Sequence, residues 1–263
     1  MSKLIGQTIG KYQILERIGR GGMAEVFKAY QPSLNRHVAI KIMHSHLADD
    51  PDFVTRFERE ATSVGRLRHP NIVRVYDFDV KDKLYYMVME HIDGATLKDD
   101  IQERKASQTN GSTGKSSYSF NEIAYIITAL ASGLDYAHAQ GIIHRDLKPA
   151  NVMFTAEGQL VITDFGLVRL LNTPSQTMTG MVTGTPAYMS PEQAVQDKKM
   201  DRQSDLYSLG VILYRMVTGR LPFSGTTPEI LHAHVYEKPA PPSSIASVSP
   251  EMEAIILRAM AKK

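Results

Sequence analysis

The 263-residue sequence predicts an α+β chain in two lobes: a small β-rich one over 1–93 with one main helix, and a larger, mainly helical one over 94–263. Three observations carry this reading. The first forty residues alternate in the manner of strands, and two more strand-like stretches follow over 71–90. From about residue 120 apolar residues recur in long runs at helical spacing. Between the two regimes, Asp93-Gly94 breaks both patterns. The two lobes together are read as a single functional domain.

Tyr12 to Ile18 leads into Gly19-Arg20-Gly21-Gly22, and Ala24 to Tyr30 leads out. Three glycines in four residues let backbone amides come close to a guest, and a polyanion is the natural one. A plain hairpin turn is the alternative for glycines taken alone. A dinucleotide site is disfavoured, because a strand follows where that fold needs a helix. The next strand, His37 to Met43, puts Val38, Ile40 and Ile42 on one face and Ala39, Lys41 and Met43 on the other. A helix from Pro51 to about Leu67 follows, with Phe53, Phe57, Val64 and Leu67 as its apolar stripe. Glu60 lies on that stripe, where a carboxylate is costly unless paired, and Lys41 is the obvious cation. Strands are expected over Ile72 to Phe78 and Leu84 to Glu90, joined by the charged turn Lys81-Asp82-Lys83.

Residues 104–119, rich in Ser, Thr, Gly, Asn and Lys, read as a flexible insertion. Ser119-Phe-Asn-Glu122 is a capping box, opening a helix with the stripe Ile123, Ile126, Ile127, Leu130 and Leu134 that Gly141 ends. Then comes His144-Arg-Asp-Leu-Lys-Pro-Ala-Asn151, around which the other informative stretches arrange themselves. It places a base (Asp146), a cation (Lys148) and an amide oxygen able to ligate a metal (Asn151) in one loop, and Pro149 forbids a helix through it. Val152 to Phe154 leaves as a strand, and Leu160 to Thr163 forms another that ends in Asp164-Phe165-Gly166. The stretch 170–185 is polar and threonine-rich, and a loop that long is functional or disordered. Leu206 to Val217 is apolar nearly all round, a helix buried on every side, with Asp205 at its edge. A Pro- and Ser-rich stretch over 239–249 precedes a last helix, from Glu251 to the final Lys263.

Composition narrows the classes of function. Apolar content of 43% with 22% charged residues is that of a soluble globular protein. A net charge of +2 with no basic face gives no sign of nucleic-acid binding. The absence of cysteine excludes disulfides, thiolate metal sites and cysteine nucleophiles. No apolar run approaches the length of a membrane span, so this segment is expected to be cytoplasmic and to make no membrane contact itself.

Five separated pieces occur in order: Ile18-Gly-Arg-Gly-Gly-Met-Ala-Glu-Val26, Val38-Ala-Ile-Lys41, the 144–151 loop, Asp164-Phe-Gly166 and Ser190-Pro-Glu192. Together they resemble the catalytic domain of protein kinases, and the glycine run and Gly184-Thr-Pro-Ala-Tyr-Met-Ser-Pro-Glu-Gln193 resemble bacterial (Hanks-type) serine/threonine kinases in particular. The resemblance implies a bilobal kinase-like fold and transfer of the γ-phosphoryl group of ATP to Ser or Thr hydroxyls of proteins. It lays Ile18, Gly19, Arg20, Gly21, Gly22, Met23, Ala24 and Val26 around the nucleotide. Lys41 would hold the α- and β-phosphates and Glu60 would hold Lys41. Met89 would be the gatekeeper, Glu90 and Ile92 the adenine-binding hinge, and Val26, Ala39 and Met153 the walls around the ring. Asn151 and Asp164 would bind Mg²⁺, with Mn²⁺ as an alternative. Asp146 would accept the substrate proton, Lys148 would steady the phosphate, Thr185 would assist, and Asp205 would anchor the loop. Arg145 before the base implies activation by loop phosphorylation at Thr177 or Thr179, with self-association for that autophosphorylation.

Three departures stand out. Ala24 replaces the third motif glycine, and Ser190 replaces the usual alanine before Pro-Glu. The sequence also stops before the arginine that normally pairs with Glu192, so the domain is expected to be shortened or to be the front of a longer, membrane-anchored protein. The competing readings are a pseudokinase binding or scaffold module and a small-molecule phosphotransferase. Lys41, Asp146 and Asp164, the residues pseudokinases typically lose, are all present.

Overall fold

The structure is a computed structural model that describes residues 4–22, 24–109, 117–165, 186–197 and 200–262, the side chains of 46, 52, 53, 56, 60, 108 and 109 excepted. The chain divides into two compact units, Met1–Asp93 and Gly94–Lys263.

In the first unit, β1 (Thr8–Ile9), β2 (Tyr12–Arg20), β3 (Ala24–Gln31), β4 (Arg36–Met43), β5 (Val75–Lys81) and β6 (Leu84–Glu90) form one antiparallel sheet in the order β1-β2-β3-β4-β6-β5. The short β1 had no signal in the sequence. Alternation puts Val38, Ile40 and Ile42 into a core with Ile14, Phe27, Tyr86 and Val88. The register between β2 and β3 slips at Ile14/Glu16 and again at Arg17/Gly19. Such slips bend and twist a ribbon next to a site. Asp82 and Lys83, both at positive φ (50° and 63°), turn β5 into β6 as the expected charged turn.

The helix α1 (Pro51–Val64) stops short of Leu67. After Gly65, the amides of Arg66 and Leu67 turn to carbonyls three residues back, which tightens the last turn instead of extending it. Phe57 packs on Phe78 of β5 with ring centroids 5.5 Å apart. The strand expected from Ile72 begins three residues later, at Val75. The Ile72 amide donates to the His69 carbonyl (3.1 Å) and the Asn71 amide to His69 Nδ1 (3.1 Å), so 69–72 curls into a turn ahead of the continuous strand.

The second unit contains α2 (Leu97–Thr109), α3 (Phe120–Ala139), β7 (Val152–Phe154), β8 (Leu160–Ile162), α4 (Pro191–Ala194), α5 (Arg202–Thr218), α6 (Thr227–Tyr236) and α7 (Pro250–Ala259). Part of the expected flexible insertion is helical, because α2 runs on to Thr109. Arg104 secures it through Asp100 and Glu122, each at 2.9 Å, and lies 4.0 Å over the Tyr118 ring. The middle of that insertion, 110–116, lies outside the described residues. The capping box is present at α3: the Glu122 amide donates to Ser119 Oγ while the Glu122 carboxylate accepts from the Ser119 amide.

Helix α5 is the hub of this unit. Nearly every residue from Tyr207 to Met216 is buried, although Leu206 at its edge is exposed. A Cβ on Gly210 would sit 2.8 Å from the Cβ of Ala259, so a glycine is what lets α7 approach so closely. The last helix does not run to the final residue; it closes at Ala259 with Met260 as its cap. Gly94 has a similar role at the start of the unit, since a Cβ there would lie 1.8 Å from the Phe154 carbonyl oxygen. Among the described residues no helix is long and apolar enough to cross a membrane.

Candidate active site

The 144–151 loop links α3 to β7, and its conformation is set by hydrogen bonds to it from three directions. From α5, the buried Asp205 carboxylate accepts from the amides of His144 and Arg145 (both 2.8 Å). His138 at the end of α3 completes that carboxylate's shell at 2.7 Å. From β8, the Thr163 amide donates to the Asn151 carbonyl (2.8 Å). From α4, Gln193 Nε2 donates to the Arg145 carbonyl (2.5 Å). Arg145 itself is held at φ 65°, a left-handed conformation that a non-glycine residue keeps only where its surroundings impose it.

His144 is fully buried, its ring 4.6 Å from that of Phe165. Its Nδ1 accepts from the Asp146 amide (3.2 Å), so Nε2 carries the proton and donates to the Thr163 carbonyl (2.9 Å). The imidazole therefore acts as a spacer between loop and strand.

Asp146 keeps part of its side chain open to solvent. Its Oδ2 accepts from Lys148 Nζ (2.6 Å) and Asn151 Nδ2 (3.1 Å), and Asn151 Nδ2 also reaches the Asp146 carbonyl (2.8 Å). With its amide nitrogen so engaged, Asn151 has its side-chain oxygen left for a cation. Asp164 follows β8 at φ 62°, again left-handed. No group of three or more His, Asp or Glu side chains gathers as a metal site among the described residues.

Removing the Asp205 carboxylate should cost stability as well as loop geometry. Each orphaned buried donor costs about 1–3 kcal/mol, so Asp205→Ala is expected to lose several kcal/mol in denaturant titration and Asp205→Asn less. An unchanged unfolding midpoint for the alanine variant would contradict this reading of the loop.

In the first unit, the Gly21 amide donates to the Ala24 carbonyl (2.9 Å), closing the turn, and His44 Nε2 lies 3.0 Å from the Gly21 carbonyl. Arg20, Gly21, Gly22, His44 and Ser45 line an open cavity of about 470 Å³. Pairing sets Val26 opposite Lys41 and Ala39 opposite Met89, so these four share one sheet face, away from the Val38/Ile40/Ile42 core. Lys41 is buried there (9% exposed). Gly19 pairs with Val26, and Ala24 is buried, whereas Ile18 stands 49% exposed. Glu90 ends β6 with its amide on the Arg74 carbonyl (2.9 Å), and Ile92, two residues on, is half-buried. Met153 lies on β7, paired with Val161 and bridged to Thr96. Met23, Thr177, Thr179 and Thr185 lie outside the described residues, as does the side chain of Glu60.

Residues 12–262 match the model of the protein kinase domain. The chain belongs to the protein kinase family. It is 42% identical over 268 residues to a probable serine/threonine-protein kinase of Streptomyces coelicolor, covering 96% of this chain and 37% of that one. It is 40% identical over 262 residues to the serine/threonine-protein kinase PrkC of Bacillus subtilis, covering 98% and 39%. Among solved structures, the Mycobacterium tuberculosis PknI kinase domain superposes with a TM-score of 0.75 at 25% identity, covering all of this chain and 92% of the other. The kinase segment thus spans well under half the length of the curated relatives it matches.

Within this kinase fold, three contributors carried weak signals or none in the sequence. His138 is a helix-end residue like many others, and Gln193 shows only as the residue after Ser-Pro-Glu. Glu192 finds Ser204, whose hydroxyl donates to it at 2.5 Å, where the family pattern led to the expectation of an arginine further on.

Proposed function

We propose that this chain is an ATP-dependent serine/threonine protein kinase that transfers the γ-phosphoryl group of ATP to Ser and Thr hydroxyls of proteins. The observation that carries the proposal is the Asp146–Lys148–Asn151 triangle, fixed from beneath by Asp205 and found in a chain of this family. A pseudokinase reading is not favoured, because its relatives are named as serine/threonine kinases and the three residues on which the chemistry rests are retained.

Asp146 takes the proton of the attacking hydroxyl as the oxygen–phosphorus bond forms, with ADP leaving on the other side. Lys148, already on Asp146, offers its charge to the phosphoryl group in transit. Lys41 pairs with the α- and β-phosphates, and the amides of 19–24 cover them. Val26, Ala39, Met89 and Met153 supply apolar surface to the adenine, and the backbone of Glu90 and Ile92 supplies its polar edge. Asn151 and Asp164 would hold Mg²⁺, or Mn²⁺ in its place, which would supply positive charge to the phosphate oxygens. Glu60 orients Lys41, and Thr185 helps to orient Asp146. The segment is assigned to the cytoplasm, where ATP is supplied.

Regulation is assigned to the loop that contains Thr177 and Thr179. A phosphate there adds about −1.5 to −2 charges and pairs with Arg145, beside the base. Autophosphorylation between two copies is the expected route. Incubation with Mg²⁺ and γ-labelled ATP should label serine or threonine of an added protein substrate. Mass spectrometry should find phosphate on Thr177, Thr179 or both, at a rate that rises with enzyme concentration. Replacing both threonines with alanine should slow turnover while leaving ATP affinity nearly unchanged. Full activity in protein free of loop phosphate would remove the regulatory part, and absence of any transfer would remove the whole.

A further inference from the structure

The turn between β2 and β3 contains a pair, Gly21-Gly22, whose bareness the packing does not explain. Neither residue is at positive φ. A Cβ on Gly22 would meet nothing within 4 Å, and one on Gly21 would meet only the Ala24 carbonyl oxygen, at 3.6 Å. What two bare residues in succession do provide is a peptide plane free to turn over between them. In a trans peptide the carbonyl and the amide that follows it point opposite ways. The orientation of the Gly21–Gly22 plane therefore decides which face of the turn the Gly22 amide addresses.

One side chain fixes that orientation. His44 Nε2 lies 3.0 Å from the Gly21 carbonyl oxygen, and since a carbonyl only accepts, Nε2 carries the proton and donates it. The Gly21 amide is already engaged on the Ala24 carbonyl (2.9 Å), so both polar groups of this residue are held. His44 is held in turn. Its own carbonyl accepts from the Leu47 amide (3.0 Å), where a one-turn helix over Ser45–Leu47 begins, and Leu47 is buried.

Strand parity gives the direction. His44 follows β4 with an extended backbone (φ −64°, ψ 135°), so it continues the side of the sheet occupied by Val38, Ile40 and Ile42, opposite Lys41. Drawing the Gly21 carbonyl to that side turns the Gly22 amide toward the side of Lys41. We propose that His44 is a positioning residue for the nucleotide: by holding the Gly21 carbonyl it keeps the Gly22 amide aimed at the phosphate chain of ATP. A donor fixed in advance needs no ordering when the phosphates arrive. The proposal rests on the kinase reading above, which puts the phosphates on the Lys41 side, and adds to it a residue outside the five motifs.

The test is calorimetric titration of the full chain with MgATP and with adenosine, in the parent and in three variants at position 44. Glutamine can place its amide nitrogen where Nε2 lies, asparagine reaches only as far as Nδ1, and alanine makes no bond. His44 is half-buried beside the open cavity of about 470 Å³, so none of the three empties a core. His44→Ala and His44→Asn are expected to weaken MgATP about fivefold, the size of one neutral hydrogen bond, and to leave the affinity for adenosine, which has no phosphate, at the parental value. His44→Gln should bind both as the parent does. A contact that merely supports the sheet would move ATP and adenosine together. Such equal weakening, unchanged MgATP affinity in the alanine variant, or a glutamine variant as weak as alanine would each overturn the assignment while leaving the kinase reading in place. A parent protein that neither binds MgATP nor transfers phosphate overturns that reading and this one with it.

Discussion

Asp146→Asn binds ATP about as tightly as the parent protein and turns over about 10²–10⁴-fold more slowly. The expectation follows from how the side chain is held. Lys148 and Asn151 both donate to Oδ2, and an amide oxygen can take the same two bonds, so the loop keeps its shape. What the amide lacks is basicity toward the incoming hydroxyl. Calorimetric titration with nucleotide, set beside steady-state turnover, separates the two effects. Turnover near the parental value would remove Asp146 from the centre of the mechanism.

Lys41→Met loses about 10²–10³-fold or more in turnover, the scale for removing one positioned charge from a phosphate. Methionine nearly matches the length of lysine and is unbranched, and its new neighbours, Val26 and Met87 across the sheet, are apolar. Stability should therefore change modestly. Breaking a fully buried ion pair costs about 3–5 kcal/mol; for the Lys41–Glu60 pair proposed above, with Lys41 still 9% exposed, a smaller loss is expected in thermal melts. Turnover retained in this variant would mean that another cation holds the phosphates.

The two lobes and the catalytic loop were legible because their signals are local. Alternation over β2, β3, β4 and β6 is a property of neighbouring residues, and the capping box at Ser119 fits within four of them. The C-terminal half of α2 was not legible, since its sequence has no apolar stripe. It is held instead by Arg104, which reaches Glu122 eighteen residues away and stacks on Tyr118. The start of β5 was misplaced because a histidine ring nitrogen captures the Asn71 amide, which no alternation of apolar residues reports. In the active site, the identities within 144–151 could be read directly, and Asp205 came only through family resemblance. The parts played by His138 and Gln193 needed the third dimension: each reaches its partner across 67 and 48 residues.

The anchoring of the loop by Asp205 also sets an order of events during synthesis. The amides of His144 and Arg145 find their acceptor 61 and 60 residues further along the chain. At about 5–20 residues per second, the ribosome needs roughly 3–12 s to make that stretch after the loop itself has been made. Throughout that interval the nascent chain carries every member of the 144–151 motif without the carboxylate that holds it in shape. On the mechanism proposed above, the loop gains its anchor only once Asp205, the fourth residue of α5, has been made, so a chain broken off before it would carry the motif without the carboxylate that shapes it.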